Sequence, residues 1–269
     1  MSGKSPLISF SIDLELEIQQ QGYECEQRFE ALSAELVALF DGHGIPATWA
    51  VADPAVSAAR YLIGESRIGH ELAILGTRTW VELGAGRPRF VRELSRRVRN
   101  AHSRGLAVNT LALRHVEIDS TADLLEVLPN SQISVLRANS ASASVKSHLA
   151  DNLQPGVSPS GDTSCGIIQV PVAWRYPMPD HWRWWENLRM KRIVRSACVR
   201  GRATHLVIDG AKLISAPQAY LRGIQRLLDG AIRLRDLGRL EIQTIGQLAN
   251  RESQETKLRT GHSILRPAA

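Results

Sequence analysis

The sequence is first informative through what it lacks. No apolar run approaches the ~20 residues that a bilayer-spanning helix needs, so no membrane-crossing helix is expected. Cysteine is scarce: Cys25, Cys165 and Cys198 are widely spaced and form no CxxC pair. That excludes a disulfide framework and a zinc ribbon, and it suits free thiols in a reducing compartment. There is no Gly-rich phosphate loop, no GxSxG elbow and no HExxH helix, which removes three common routes to catalysis. Met1 to Pro6 runs straight into an apolar strand, with no h-region and no small-residue cleavage site. The reading is a cytoplasmic protein.

What is present is an ordinary globular composition, 43% hydrophobic over 269 residues, enough to bury a sizeable core. Residues 1–250 read as one domain, with 251–269 as a polar, flexible tail. The formal charge is +6 and the pI about 9.6. The excess lies in Arg87 to Arg104 and Arg183 to Arg202, both of which also read as amphipathic helices. A solvated basic face explains such helices, and no motif points to nucleic acid. Trp182, Trp184 and Trp185 precede Arg189, Lys191, Arg192 and Arg195. A weak membrane-surface contact is the alternative for that stretch. With Trp174, these tryptophans suit either core packing or a platform for sugar rings.

Strand-like and helix-like runs alternate along the chain. Residues 7–12, 47–51, 71–75, 110–113, 133–136, 167–172, 205–208 and 240–244 have strand character. Phe29, Leu32, Leu36 and Leu39 recur at helical spacing, as do Leu221, Ile224, Leu228 and Ala231 within 217–237. Further helices are expected at Pro54, 87–104, 121–128 and 181–200, and a long loop at 140–164. Seven or eight such units argue for a parallel α/β architecture, either a barrel or a doubly wound sheet. Periodicity does not choose between them.

Six segments, taken in order, sharpen the expectation: SFSIDLELE from Ser9, HGIPATWAV from His43, IGHELAILG from Ile68, TLALRHVEI from Thr110, HLVIDGAKL from His205 and RLRDLGRLEIQTIGQLA from Arg233. Together they resemble the NodB-type polysaccharide deacetylases, carbohydrate esterase family 4, in the branch associated with glycan synthesis. The resemblance spans roughly Leu7 to Ala249. It implies an α/β fold, a distorted, incomplete (β/α) barrel with its site at the carboxyl ends of the strands.

The resemblance also implies a chemistry: hydrolysis of a sugar N-acetyl amide through a divalent metal such as zinc, with a carboxylate base and a histidine acid. Carried over by position, the base is Asp13, while the metal-binding Asp becomes Leu14. The two metal-binding histidines become Leu75 and Thr79. The general-acid histidine becomes Asp209, followed by Gly210, and the motif arginine is kept as Arg114. Strand alternation puts Asp13 and Glu15 on one face with Leu14 on the other. No metal is therefore expected, since the imidazole positions hold aliphatic and hydroxyl side chains.

Asp13, Arg114 and Asp209 remain as vestigial catalytic candidates, with Glu15, His70 and His115 as candidate substrate contacts. Each has a plainer reading. Asp13 could cap a helix or pair with Arg114. Arg114 could pair with Asp13 or Asp209, or bind an acidic sugar or phosphate bidentately. His70 reads as a hydrogen-bonded turn histidine, and His115 as a replacement ligand without a second histidine at ligand spacing. Asp13 and Asp209 could form a carboxylate pair for acid–base work. The functional reading is a polysaccharide deacetylase-like protein of surface-glycan metabolism that lacks the metal-dependent activity and binds a glycan, a sugar conjugate or a protein of glycan assembly. The alternative is an active N-deacetylase with a rebuilt site.

Overall fold

The structure, a computed structural model, describes residues 6–16, 22–81, 86–117, 126–139, 167–176, 203–251 and 254. The helices expected at 121–128 and 181–200 and the loop at 140–164 fall wholly or largely outside these residues.

The strands are β1 (Leu7–Leu14), β2 (Thr48–Val51), β3 (Glu71–Gly76), β4 (Thr110–Glu117), β5 (Val135–Asn139), β6 (Ile168–Pro171), β7 (Trp174–Tyr176), β8 (Ala203–Asp209) and β9 (Glu241–Gln243). They form one sheet in the order β6-β5-β4-β3-β2-β1-β8-β7, with β9 beside β1. Every pairing is parallel. β2 takes Ser11 to Leu14 of β1, and β9 takes Leu7 to Ser9. β8 runs along the full length of β1, so β2 and β9 share its other edge.

The sheet curls into an incomplete (β/α) barrel rather than a flat doubly wound sheet. The segment 168–176 shows how. Its first half pairs with β5 and its second half with β8, so one extended stretch spans the two open edges. Sequence patterning marked only 167–172 as strand. β7 adds the rest, stitched on by the Ala173 N–H donating to the His205 carbonyl at 3.0 Å.

Parity along the strands sorts side chains into two layers. On β1, Ile8, Phe10 and Ile12 face outward and are fully buried. They join Leu32, Leu36 and Phe40 of α1 (Tyr23–Gly42) in the main core. Phe10, Phe40 and Trp49 meet edge to face, with ring centroids 6.0 and 5.5 Å apart. Around the barrel come α2 (Ala59–Glu65), α3 (Arg78–Val81), α4 (Gly86–Ser103) and α5 (Pro217–Asp236). The short helix expected at Pro54 begins later, at Ala59, because Asp53 turns the chain by accepting from the Ala55 N–H at 3.0 Å.

The amino-terminal end of the barrel is plugged. Leu7, Val135 and Val170 pack on Ile245, Leu248 and Ala249 of a last helical run, 245–251. Glu71 ties this run to the sheet. Its carboxylate accepts from the Gly246 N–H at 2.8 Å, from Thr48 Oγ1 at 2.9 Å and from Thr110 Oγ1 at 2.5 Å. An anion at a helix start offsets the unpaired N–H groups there. Glu71→Ala leaves three donors without this acceptor. The expected outcome is a loss of about 1–3 kcal/mol, with faster amide exchange in 245–251 than in α1 as the measurement.

Candidate functional site

The even-numbered residues of β1 pack outward, so Ser9, Ser11 and Asp13 point into the barrel, all fully buried. Leu14 joins the outer core, as alternation requires. Because β1 and β8 run parallel in register, Asp13 lies beside Asp209. Two carboxylates would repel at such close range. The fold resolves this by giving each its own guanidinium.

Asp13 Oδ1 accepts from Arg137 Nη1 at 2.5 Å, and Oδ2 accepts from Arg175 Nη1 at 3.0 Å. Arg137 comes from β5 and is fully buried, while Arg175 comes from β7 and is 27% exposed. Burial pushes the Asp13 carboxyl up, but Arg137 and Arg175 outweigh burial and hold it below the ordinary carboxylate range. Burial opposes the charge on Arg137 too, yet an arginine stays protonated in proteins. Asp209 takes Arg114: Nη2 donates to both carboxylate oxygens, at 2.7 and 2.8 Å. Asp209 Oδ1 also accepts from the Ala211 N–H at 3.2 Å and caps a 3-10 turn over Gly210–Leu213. Arg175 Nη2 donates to the Arg114 carbonyl at 3.2 Å, linking the two pairs.

Gly210 permits this proximity. A Cβ there would sit 2.6 Å from the Asp13 carbonyl oxygen, so neither proline nor alanine fits without moving β1.

A polar chain continues below. Ser11 Oγ accepts from Arg137 Nη1 at 2.8 Å and lies 3.0 Å from His205 Nε2, while His205 Nδ1 lies 2.8 Å from Ser9 Oγ. Burial, then the facing Arg137 cation, push His205 down to about 3. Glu15, past the end of β1, behaves oppositely: burial lifts its carboxyl to about 7, against the pull of Arg114.

Asp13, Glu15, Arg114 and Asp209 thus converge at the carboxyl ends of the strands. His70 does not join them. It precedes β3 at the opposite end, where Nδ1 accepts from the Ala47 N–H at 3.1 Å and Nε2 donates to Asp41 at 2.9 Å. Its ring stands edge-on to Trp49, 5.6 Å between centroids. This is the hydrogen-bonded turn role. A cleft of about 410 Å³ lies at that same end, beside Arg60, His70, Glu71, Asn109 and Thr244. The His70 and Glu71 side chains there are committed to the bonds above, so we place the candidate chemistry at the Asp13 end instead. The side chains of His115 and Thr79, and the whole of Trp182, Trp184 and Trp185, lie outside the described residues.

The described residues at this end do not fit a divalent cation. Both Asp13 oxygens are taken by guanidinium groups, which are themselves cationic. Leu75, where the resemblance puts an imidazole, packs on Ala50, Ala73 and Ala112 in a wholly apolar patch. Among the described residues no three His, Cys, Asp or Glu side chains cluster as metal ligands.

Arg137, Arg175, Ser11 and His205 were not singled out from sequence. One signal was there: Arg137 interrupts the apolar run VLRAN, and His205 opens HLVID. A polar residue at an inward position of a buried strand needs a partner.

No family model matches the chain, and no curated protein matches it. Solved structures do. A protein from Mycobacterium smegmatis assigned as a polysaccharide deacetylase superposes on 94% of this chain and 92% of its own, with TM-score 0.64 and 16% identity. The 4-alpha-glucanotransferase of Thermococcus litoralis matches 91% of this chain and 40% of its own, with TM-score 0.57 and 11% identity. A family 4 acetyl xylan esterase from Clostridium thermocellum, in complex with a cobalt ion, matches 92% of each chain, with TM-score 0.44 and 11% identity. The first of these shows that the fold is of the polysaccharide deacetylase type.

Two outcomes are expected of the buried network. Asp13→Asn leaves Arg137 buried without its counter-charge and costs about 3–5 kcal/mol, read as a shift in the urea midpoint at unchanged slope. The second concerns pH. An unfolded His205 takes up a proton near 6.5, and the folded one only near 3. Between those values the unfolded chain binds more protons, so stability falls as pH falls, by up to about 1.4 kcal/mol per unit. His205→Gln removes that slope in denaturation series across the same window.

Proposed function

We propose that this chain is a non-hydrolytic, glycan-binding relative of the polysaccharide deacetylases, without their metal-dependent N-deacetylase chemistry. One observation carries the reading: the carboxylate in the position of the general base is gripped through both oxygens by Arg137 and Arg175. A base must accept a proton near neutral pH. Asp13 is held well below that range, and its lone pairs are spent on guanidinium N–H groups. Asp209, in the position of the acid, is likewise engaged through both oxygens by Arg114 Nη2.

The fold supports the carbohydrate side of the proposal, since the polysaccharide deacetylase from Mycobacterium smegmatis shares it over nearly the whole chain. A sugar conjugate, or a protein that handles one during glycan assembly, is the ligand class in view. The setting in view is the cytoplasm; separately, none of the described helices is long and apolar enough to cross a membrane.

Glu15 favours a second reading. Among the described residues it is the carboxyl at this end pushed up to about 7, the value an acid–base group needs. An active N-deacetylase with a rebuilt site would use it.

Purified protein separates the two. The expected result is no acetate release from N-acetylated chitooligosaccharides, with or without added zinc or cobalt, and no stoichiometric metal by elemental analysis. Binding to a glycan array is retained. Acetate release that Glu15→Gln abolishes would establish the rebuilt enzyme instead.

A further inference from the structure

Arg137 is fully buried, and only one of its three nitrogens is used. Nη1 donates to Ser11 and Asp13. Nε and Nη2 are buried and have no hydrogen-bond partner among the described residues. Buried donors are nearly always satisfied, and each one left bare costs about 1–3 kcal/mol. Two bare donors on one side chain at the heart of a polar network therefore call for an acceptor that the described residues do not supply.

The pair is chemically specific. Nε–H and the outer N–H of Nη2 lie along one edge of the planar guanidinium and point the same way. That edge matches the two oxygens of a carboxylate, the fork geometry for which arginine is suited. We propose that the barrel mouth binds the carboxylate of an acidic sugar on the Nε–Nη2 edge of Arg137, a specificity that rests on the glycan-binding reading above.

Charge agrees. Among the described residues, two guanidiniums, Arg137 and Arg175, share one carboxylate, Asp13. Glu15 completes the balance only when ionised, and burial resists that up to about 7. The Arg137–Arg175–Asp13 group thus carries one positive charge that a monoanion would balance. On the same inner face Ala112 sits beside Arg137 in register, Leu75 of β3 lies beside Ala112, and Ala50 and Ala73 complete that apolar cluster. His205, below Arg137, stays neutral and adds no competing charge. The ligand carboxylate thus takes the place of a missing internal acceptor, and Asp13 keeps Arg137 oriented from the other side.

Calorimetric titration of the full chain with D-glucuronate, D-glucose, glucose 6-phosphate and neutral chitooligosaccharides tests this. D-glucuronate is expected to bind one per chain, at least about tenfold more tightly than D-glucose. Arg137→Lys keeps a cation for Asp13 but loses the fork, and is expected to weaken glucuronate binding at least about tenfold with little change for neutral sugars. Should that variant not fold, the wild-type Arg137 Nε–H resonance still reads the contact by its downfield shift on adding glucuronate. Glucuronate binding no better than glucose, or without any shift of that resonance, overturns the proposal. So does tighter binding of glucose 6-phosphate, which would assign the edge to a phosphate. Neutral chitooligosaccharides binding in the absence of any acid preference would sink this inference alone and leave the glycan-binding reading standing. No sugar binding at all would remove both.

Discussion

Everything at the carboxyl end of this barrel depends on one buried ion cluster, Asp13 with Arg137 and Arg175. Parallel pairing of β1 with β8 sets two aspartates side by side in a dry interior. Such a pair is stable only if counter-charges reach it. β5 and β7 supply them from opposite edges of the open sheet. The cluster is thus also a clasp. The same ion pairs that neutralise Asp13 draw the two ends of the sheet toward β1, where backbone pairing alone leaves β6 and β7 on different edges.

That constraint shapes the chemistry. In a metal-dependent deacetylase a divalent ion neutralises the acidic mouth and polarises the substrate. Here guanidinium groups hold that charge. They are fixed cations with directional N–H donors. They cannot activate water as a Lewis acid, but they can select an oxyanion by shape. Leu75 and three alanines line the neighbouring wall of the barrel with aliphatic contacts. The fold is retained because its outer core is independent of the inner face. Ile8, Phe10 and Ile12 pack against α1 whatever Ser9, Ser11 and Asp13 do on the other side.

Much of this was legible along the chain. The alternation in SFSIDLE told which residues of β1 face inward, and it placed Glu15 with Asp13 and Leu14 apart from them. The choice left open for Arg114, between Asp13 and Asp209, fell to Asp209, because β4 carries it to the far side of the mouth while Arg137 already holds Asp13. His70 was legible as a turn histidine, since it follows Gly69 and precedes a strand rather than ending one. What stayed hidden was the identity of the counter-charges. Arg137 is 124 residues from Asp13, and Arg175 is 162 away. β5 and β7 are also short strands that periodicity marks weakly or not at all.

By itself the sequence determined the parallel α/β class and the parity of each long strand. Those are local matters, set by side-chain period and residue type. Only the tertiary structure decided that the sheet curls, that 168–176 bridges its edges, and that three arginines converge on two aspartates with one guanidinium edge left bare. Such facts follow from register between distant strands and from burial, which set the cost of every unpaired charge and donor, and neither is written in the neighbourhood of any one residue.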